Sequence, residues 1–276
     1  MKTEIRCDID MTKVFIAIEN GKGGVGKSTL AQLLIEYLLF KLLLPFVVQV
    51  DAQARLAELN AFEVSTVASS PELVRADPSQ QLSRFAVITD RAEQGGLSGR
   101  PVIVDIGANE DQNFAFWAQQ CELDADLDEF GLCPVVFVIF TAEQEAIEKA
   151  AEAIASVGRA LPSAHLVLVE NQRFGSIEQL HPASSARRAY EERLSLSASS
   201  ASHIVMPKIP ANSYARFEPH RLSFSRVVQM SPAEITEITG LPRADAKICR
   251  GDVAFFLATM FDQFDQIFGG PNAKAD

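Results

Sequence analysis

Short apolar runs recur along the chain to about residue 210, separated by stretches whose apolar positions return every three or four residues. The runs 14–19, 46–50, 85–89, 102–106, 135–140, 166–170 and 204–206 read as strands. Most are apolar without alternation, which suits strands of a parallel sheet covered on both faces. Between them, Leu30, Leu33, Leu34, Tyr37 and Leu38 fall at helical spacing. The stretch 141–157 is the clearest helical pattern, with Thr141 placed to cap it and Gly158 to end it. This alternation predicts an α/β fold: a doubly wound, mostly parallel sheet with helices on both faces and a ligand site at the carboxyl edge of its strands. The most apolar window, 37–50, is cut by Lys41 and Pro45, so it reads as a helix end, a turn and a buried strand rather than a membrane span.

The pattern changes after residue 250. Phe255, Phe256, Phe261, Phe264 and Phe268 recur at helical spacing, while Asp252, Asp262, Gln263 and Asp265 supply the polar positions. A helix lying on an anionic membrane carries Lys and Arg there, so this one is expected to pack onto the domain or onto a partner. Gly269, Gly270, Pro271 and Asn272 read as a helix stop and a frayed end. With 276 residues and 47% hydrophobic composition, the chain is expected to form one domain over 1–276, with 251–276 as its C-terminal helix and tail. Residues 1–6 hold no apolar signal core. Cys7, Cys121, Cys133 and Cys249 lack C-x-x-C spacing, which fits a reducing cytoplasm better than a zinc or disulfide framework. His165, His181, His203 and His220 show no ligand spacing.

Net charge is −11, yet residues 171–250 carry +4. A basic segment on an acidic chain is either a nucleic-acid footprint or a surface of locally paired arginines. Arg187, Arg188, Arg216, Arg221, Arg226 and Arg250 are the candidate contacts.

The sharpest signal is Gly21-Lys22-Gly23-Gly24-Val25-Gly26-Lys27-Ser28-Thr29, which fits the phosphate-binding pattern G-x-x-x-x-G-K-[ST]. Glycines let the backbone turn tightly and aim several N–H groups at one anion. Lys27 offers a charge for β- and γ-phosphates, and the Ser28 hydroxyl suits Mg2+. A strand before the loop and a helix after it place the phosphates at a helix N-terminus. Asp51 and Asp105 each close an apolar strand. A carboxylate in such a place can orient an attacking water or hold a metal, directly or through water. Asn171 follows another strand and offers one acceptor and two donors, a set that suits an adenine edge or a turn.

The sequence K-G-G-V-G-K-S-T resembles the deviant phosphate loop of the ParA/MinD family of ATPases. The resemblance implies ATP and Mg2+ as ligands, an ATP-dependent homodimer, and a partner protein that stimulates hydrolysis. It implies that Lys22 reaches across the dimer to the partner's nucleotide and that Asp51 serves hydrolysis. Asn171, Ile209 and Pro210 would meet the base. Gly23, Gly24, Val25, Gly26, Lys27, Ser28 and Thr29 would hold the phosphates, with Ser28, Asp51 and Asp105 around the metal. The family usually reads D-x-D-P-Q where this chain has Asp51, Ala52, Gln53 and Ala54, and D-T-P-P or D-x-P-G where it has Asp105-Ile106-Gly107-Ala108. The shortened switches are similar to those of divergent members in plasmid partition and conjugative transfer, so DNA is a candidate cargo. Two alternatives stay open: a metabolic kinase or ligase of the dethiobiotin synthetase type, and a module that binds ATP without useful hydrolysis. Cys121 and Cys133 are placed unlike a shared iron–sulfur ligand pair, being close together with an acidic stretch between them. Trp117 is expected in the core or a dimer interface.

Overall fold

The computed structural model describes residues 9–51, 55–67, 75, 80–198 and 200–269. Residues 1–6, Cys7, Gln53, Ala54, Gly270, Pro271 and Asn272, all singled out above, lie outside the described residues.

The strands are β1 (Val14–Glu19), β2 (Phe46–Val50), β3 (Val64–Thr66), β4 (Val102–Ile106), β5 (Cys133–Thr141), β6 (His165–Asn171) and β7 (Ser202–Met206). They form one sheet in the order β3-β2-β4-β1-β5-β6-β7, and every pairing is parallel. The α/β reading of the sequence holds, and the sheet read as mostly parallel is parallel in every described pairing. The helices described below are α1 (Lys27–Phe40), α2 (Arg55–Leu59), α3 (Ala86–Ser98), α4 (Asp111–Gln120), α5 (Leu123–Glu129), α6 (Gln144–Ala160), α7 (Ser185–Ala189), α8 (Phe224–Gln229), α9 (Pro232–Thr239) and α10 (Arg243–Phe268).

Strand alternation sorts the core into two layers. Val14, Ile16 and Ile18 of β1 point to the layer shared with α1 and α8–α10. Phe15 and Ala17 point to the layer shared with α3–α7. Both faces are therefore apolar, which is why the strands show little alternation.

The run 85–89 is not a strand. Phe85, Ile88 and Ala92 are buried together at helical spacing, and Ala86–Ser98 is helix. A short apolar run alone does not separate the two periods; here the residues beyond Thr89 decide it. The edge strand β3 has no apolar run of its own and is held by register on β2, from Val47↔Val64 to Gln49↔Thr66. Thr141 does not cap α6. It ends β5, fully buried, and its hydroxyl donates to the carboxylate of the actual N-cap residue, Glu143, at 2.9 Å. Gly158 does not end α6 either: Val157 and Ala160 continue the buried stripe through it.

The aromatic C-terminal helix packs on the domain and starts at Arg243, ahead of residue 251. Together with α2 and α8 it covers the part of α1 that the sheet leaves open, which explains why α1 is buried almost all round from Leu30 to Leu38. The Tyr37 ring meets Phe261 and Phe264 edge-on and stacks on Phe268. Its hydroxyl donates to Asp265 Oδ1 at 2.7 Å, an atom that also pairs with Lys41 Nζ at 2.7 Å. Trp117 is core, packed with Phe85 and Phe114. Among the described residues no helix is long and apolar enough to cross a membrane.

Phe264 is fully buried, whereas Phe255 on the same helix is 70% exposed. Phe264→Ala is expected to cost about 3–5 kcal/mol of stability in urea unfolding. Phe255→Ala is expected to stay within about 0.5 kcal/mol. Equal losses would mean that α10 is not docked as described.

Candidate nucleotide site

The glycine-rich segment turns between β1 and α1 at the carboxyl edge of the central strand. Two asparagines brace it from behind. Asn20, fully buried, donates to the carbonyls of Ile139 at 2.7 Å and Ala146 at 3.0 Å, and accepts from Lys22 N at 2.7 Å. Asn171, at the end of β6, donates through Nδ2 to Val25 O at 2.8 Å and accepts from Arg173 N at 3.0 Å. Gly26 caps α1 at φ 104°, and a Cβ there would stand 2.6 Å from Asn171 Nδ2. Only glycine meets both demands. The Asn171 amide is thus bonded to the loop itself, while the residue also lines a cavity of about 200 Å3 with Gly26, Thr29, Met206 and Ile209. Pro210 is not among the residues lining that cavity; it opens the short turn that follows.

Lys27 is buried, and its ammonium donates back to Asn20 O at 2.5 Å and Lys22 O at 3.0 Å. Burial lowers its pKa, opposed by Asp105, Glu19, Asp111 and Asp51. Gly23, Gly24, Ser28, Thr29, Asp51 and Gly107 line the adjoining cavity of about 530 Å3. Gly107 comes so close to β2 that a Cβ would sit 2.3 Å from Val50 O, to which its own N–H donates at 2.8 Å. The chain after Asp105 therefore passes directly over the end of β2, beside Asp51.

Asp105 is fully buried and its Oδ1 has no hydrogen-bond partner. Burial pushes its carboxyl up to about 6, against the Ser28 hydroxyl bond and the Lys27 charge, with Asp51 adding to the rise. A buried acid with an orphaned oxygen, a hydroxyl and a second acid beside it is a donor set that fits a hard, oxygen-seeking cation such as Mg2+. No group of three or more His, Cys, Asp or Glu among the described residues is placed to hold a metal. A phosphate-loop site needs none, since substrate oxygens and water complete the shell.

Lys22 lies on the outer turn of the loop. Its ammonium pairs with Glu143 at 3.2 Å and Glu145 at 3.4 Å, at the start of α6. Burial works against the charge, but the two glutamates outweigh it and raise the pKa. These acids, like Asn20 and Arg173, went unnoticed in the sequence. An acidic first turn on a helix that leaves the carboxyl edge was the available signal for Glu143 and Glu145.

The candidate DNA contacts are spread over the molecule. Arg187 pairs with Glu191, Arg221 with Glu58 and Arg226 with Glu234, while Arg250 donates to Met230 O. Arg187 and Arg188 sit on α7, whose alanines join one core layer, and Arg226 and Arg250 sit on α8 and α10 against the other.

No protein-family model and no curated protein matches the chain. Among solved structures it is similar to the MinD cell division protein of Aquifex aeolicus, at 14% identity and a TM-score of 0.46, over 89% of this chain and 97% of that one.

Proposed function

We propose that the chain is a switch ATPase of the ParA/MinD type, which dimerises on ATP and separates after hydrolysis. The observation that carries this reading is the convergence of Lys27, Ser28, Asp51 and Asp105 on one braced glycine turn at the edge of the central strand. Lys27 exchanges the carbonyls of Asn20 and Lys22 for phosphate oxygens, which compensate its charge better. Gly23, Gly24, Val25, Gly26 and Thr29 present the loop's backbone to the phosphates. Ser28 and Asp105 would hold the metal, and Asp51, which lines the same cavity as Ser28, would act on its water or on the attacking one. Mg2+, when bound, neutralises phosphate charge. Asn171 and Ile209 bound the base side, with Pro210 behind them. Lys22 leaves Glu143 and Glu145 to meet the nucleotide of a second copy, so that pair is the resting position of the trans contact.

In this reading the protein works in the cytoplasm with a partner that stimulates hydrolysis. Its output is a change of affinity that serves partition, conjugative transfer or the positioning of an assembly, with DNA as one cargo. One observation favours the metabolic-kinase alternative: a second cavity of about 450 Å3, walled by Leu56, Leu59, Tyr214 and Phe224, opens beside Ser28 and Thr29. A small-molecule acceptor would fit there. Phosphate release from ATP alone, unaffected by metabolites, separates the two readings.

Lys27→Ala is expected to abolish binding of a fluorescent ATP analogue. Asp51→Ala should keep binding and lose phosphate release by about tenfold or more. Unchanged affinity in the first variant would remove the nucleotide site, and unchanged turnover in the second would make Asp51 structural.

Asp105 also sets a pH dependence. Its pKa rises from 3.8 to about 6, so the native state binds that proton more tightly than the unfolded chain. Without metal, the contribution of Asp105 to stability is whole below the unfolded value and is lost as pH climbs through about 6. Asp105→Asn should remove this slope and leave the metal-free protein more stable by up to about 3 kcal/mol near neutral pH. The same variant should lose the effect of Mg2+ on nucleotide affinity. A variant less stable than wild type without metal, across the whole range, would contradict the burial of an unsatisfied charge.

A further inference from the structure

The outward face of α10 is not the polar face expected of a helix that packs on a core. Ala244, Ile248, Gly251, Phe255, Ala258 and Asp262 are all exposed and fall in one stripe, at alternating steps of four and three residues. Ile248 is 62% exposed and Phe255 70%. Such steps are those of a seam that packs against a second helix. The opposite stripe, with Val253, Phe256, Met260 and Phe264, is already used by the domain. Gly251 is open, since a Cβ there would meet nothing within 4 Å. Glycine in a helix interior lowers stability relative to alanine, and what it offers is close approach.

Large and small positions alternate along this stripe, and their order is self-complementary about a two-fold axis. Two copies of α10 laid antiparallel about an axis level with Val253 put Phe255 against Gly251 and Ile248 against Ala258. Parallel copies would instead put Phe255 on Phe255 and leave Gly251 facing Gly251. Charge follows the antiparallel order. Asp262 comes opposite Ala244, within reach of Arg243 and Lys247, which flank it in the chain. That place is also the first turn of the other helix, where a negative charge is favoured. Arg243, Lys247 and Asp262 are exposed, and none forms an ion pair among the described residues. Asp252, the acid nearest the axis, is turned aside and accepts from Ser213 Oγ at 2.6 Å.

We propose that the outer face of α10 is a docking surface for α10 of a second copy, antiparallel and two-fold symmetric. The seam from Ala244 to Asp262 is about 27 Å long and one helix wide. It falls short of the roughly 800 Å2 per partner of a stable interface. The pairing is therefore weak, leaves dilute protein monomeric and shows at high concentration. It does not rest on the nucleotide reading. α10 packs in one core layer and α6, whose start holds Lys22, in the other, so the two contacts use separate surfaces.

Sedimentation equilibrium of the full chain without nucleotide, from low-micromolar to near-millimolar protein, tests the pairing. Wild type should pass from monomer to dimer and stop there. Phe255→Ala, which spares folding, should weaken the dimer by about tenfold or more. Asp262→Lys and Lys247→Asp should each weaken it severalfold, and the double variant should recover wild-type association. Asp262→Lys brings the net charge nearer zero, so loose, non-specific association would instead grow stronger. Recovery in the double variant also requires the antiparallel order, because parallel copies never bring residues 247 and 262 together. Should Phe255→Ala fail to fold, the charge-reversal set decides alone. Wild type that stays monomeric throughout, Phe255→Ala that dimerises like wild type, or a charge reversal that the second reversal does not restore would overturn the proposal. None of these outcomes bears on the Lys22 contact, since no ATP is present.

Discussion

A glycine turn can hold its amides towards an anion only if the chain behind it cannot relax. In this protein the constraint is supplied by two side-chain amides. Asn20 ties the loop to β5 and to the first turn of α6, and Asn171 reaches from the end of β6 to the Val25 carbonyl. Asn20 follows β1 and Asn171 ends β6, with β5 between those two strands, so the packed core of β1, β5 and β6 sets the loop. Removing either amide would leave buried backbone groups without partners as well as freeing the turn. The helix that follows is held on several sides, since α2, α8 and α10 all pack on α1 besides the sheet, and Glu36 of α1 accepts from Phe224 N and Ser225 N of α8.

Charge at the carboxyl edge is poised rather than balanced. The Lys27 charge acts on both Glu19 and Asp105, and its ammonium bonds to the carbonyl oxygens of Asn20 and Lys22. Asp105 keeps an oxygen without a partner on one face of the sheet, and Glu19 keeps two on the other. Buried polar atoms are normally paired, and exceptions mark places where something else completes the set. On the Asp105 side a cation and phosphate oxygens would complete it. Lys22, by contrast, is already satisfied by Glu143 and Glu145, so its departure to another subunit needs a stronger attraction than that half-exposed pair.

The sheet was legible in the sequence because strands buried on both faces leave unbroken apolar runs; β1, β2 and β4 begin and end where those runs do. Failures came where apolarity does not determine the period, as at 85–89, or where tertiary pairing makes a strand from a neutral segment, as at Val64–Thr66. Of the candidate site, the glycine loop, Lys27, Ser28, Asp51 and Asp105 could be picked out from residue type and spacing. Asn20, Arg173, Glu143 and Glu145 could not, because their positions depend on strand order and on where α6 starts. Glu19 was hidden in the last position of an otherwise apolar strand, where a polar residue normally means only that the strand has reached solvent.

Everything proposed for the site leads to a single event, the joining of two copies through Lys22 around ATP. Sedimentation velocity of the full chain with Mg2+ and a slowly hydrolysed ATP analogue measures it. Wild type is predicted to shift from monomer to dimer with the analogue and not with ADP, and Lys22→Ala to remain monomeric while still binding the analogue. A wild-type chain that stays monomeric at saturating analogue, or a Lys22→Ala chain that dimerises like wild type, would contradict the switch.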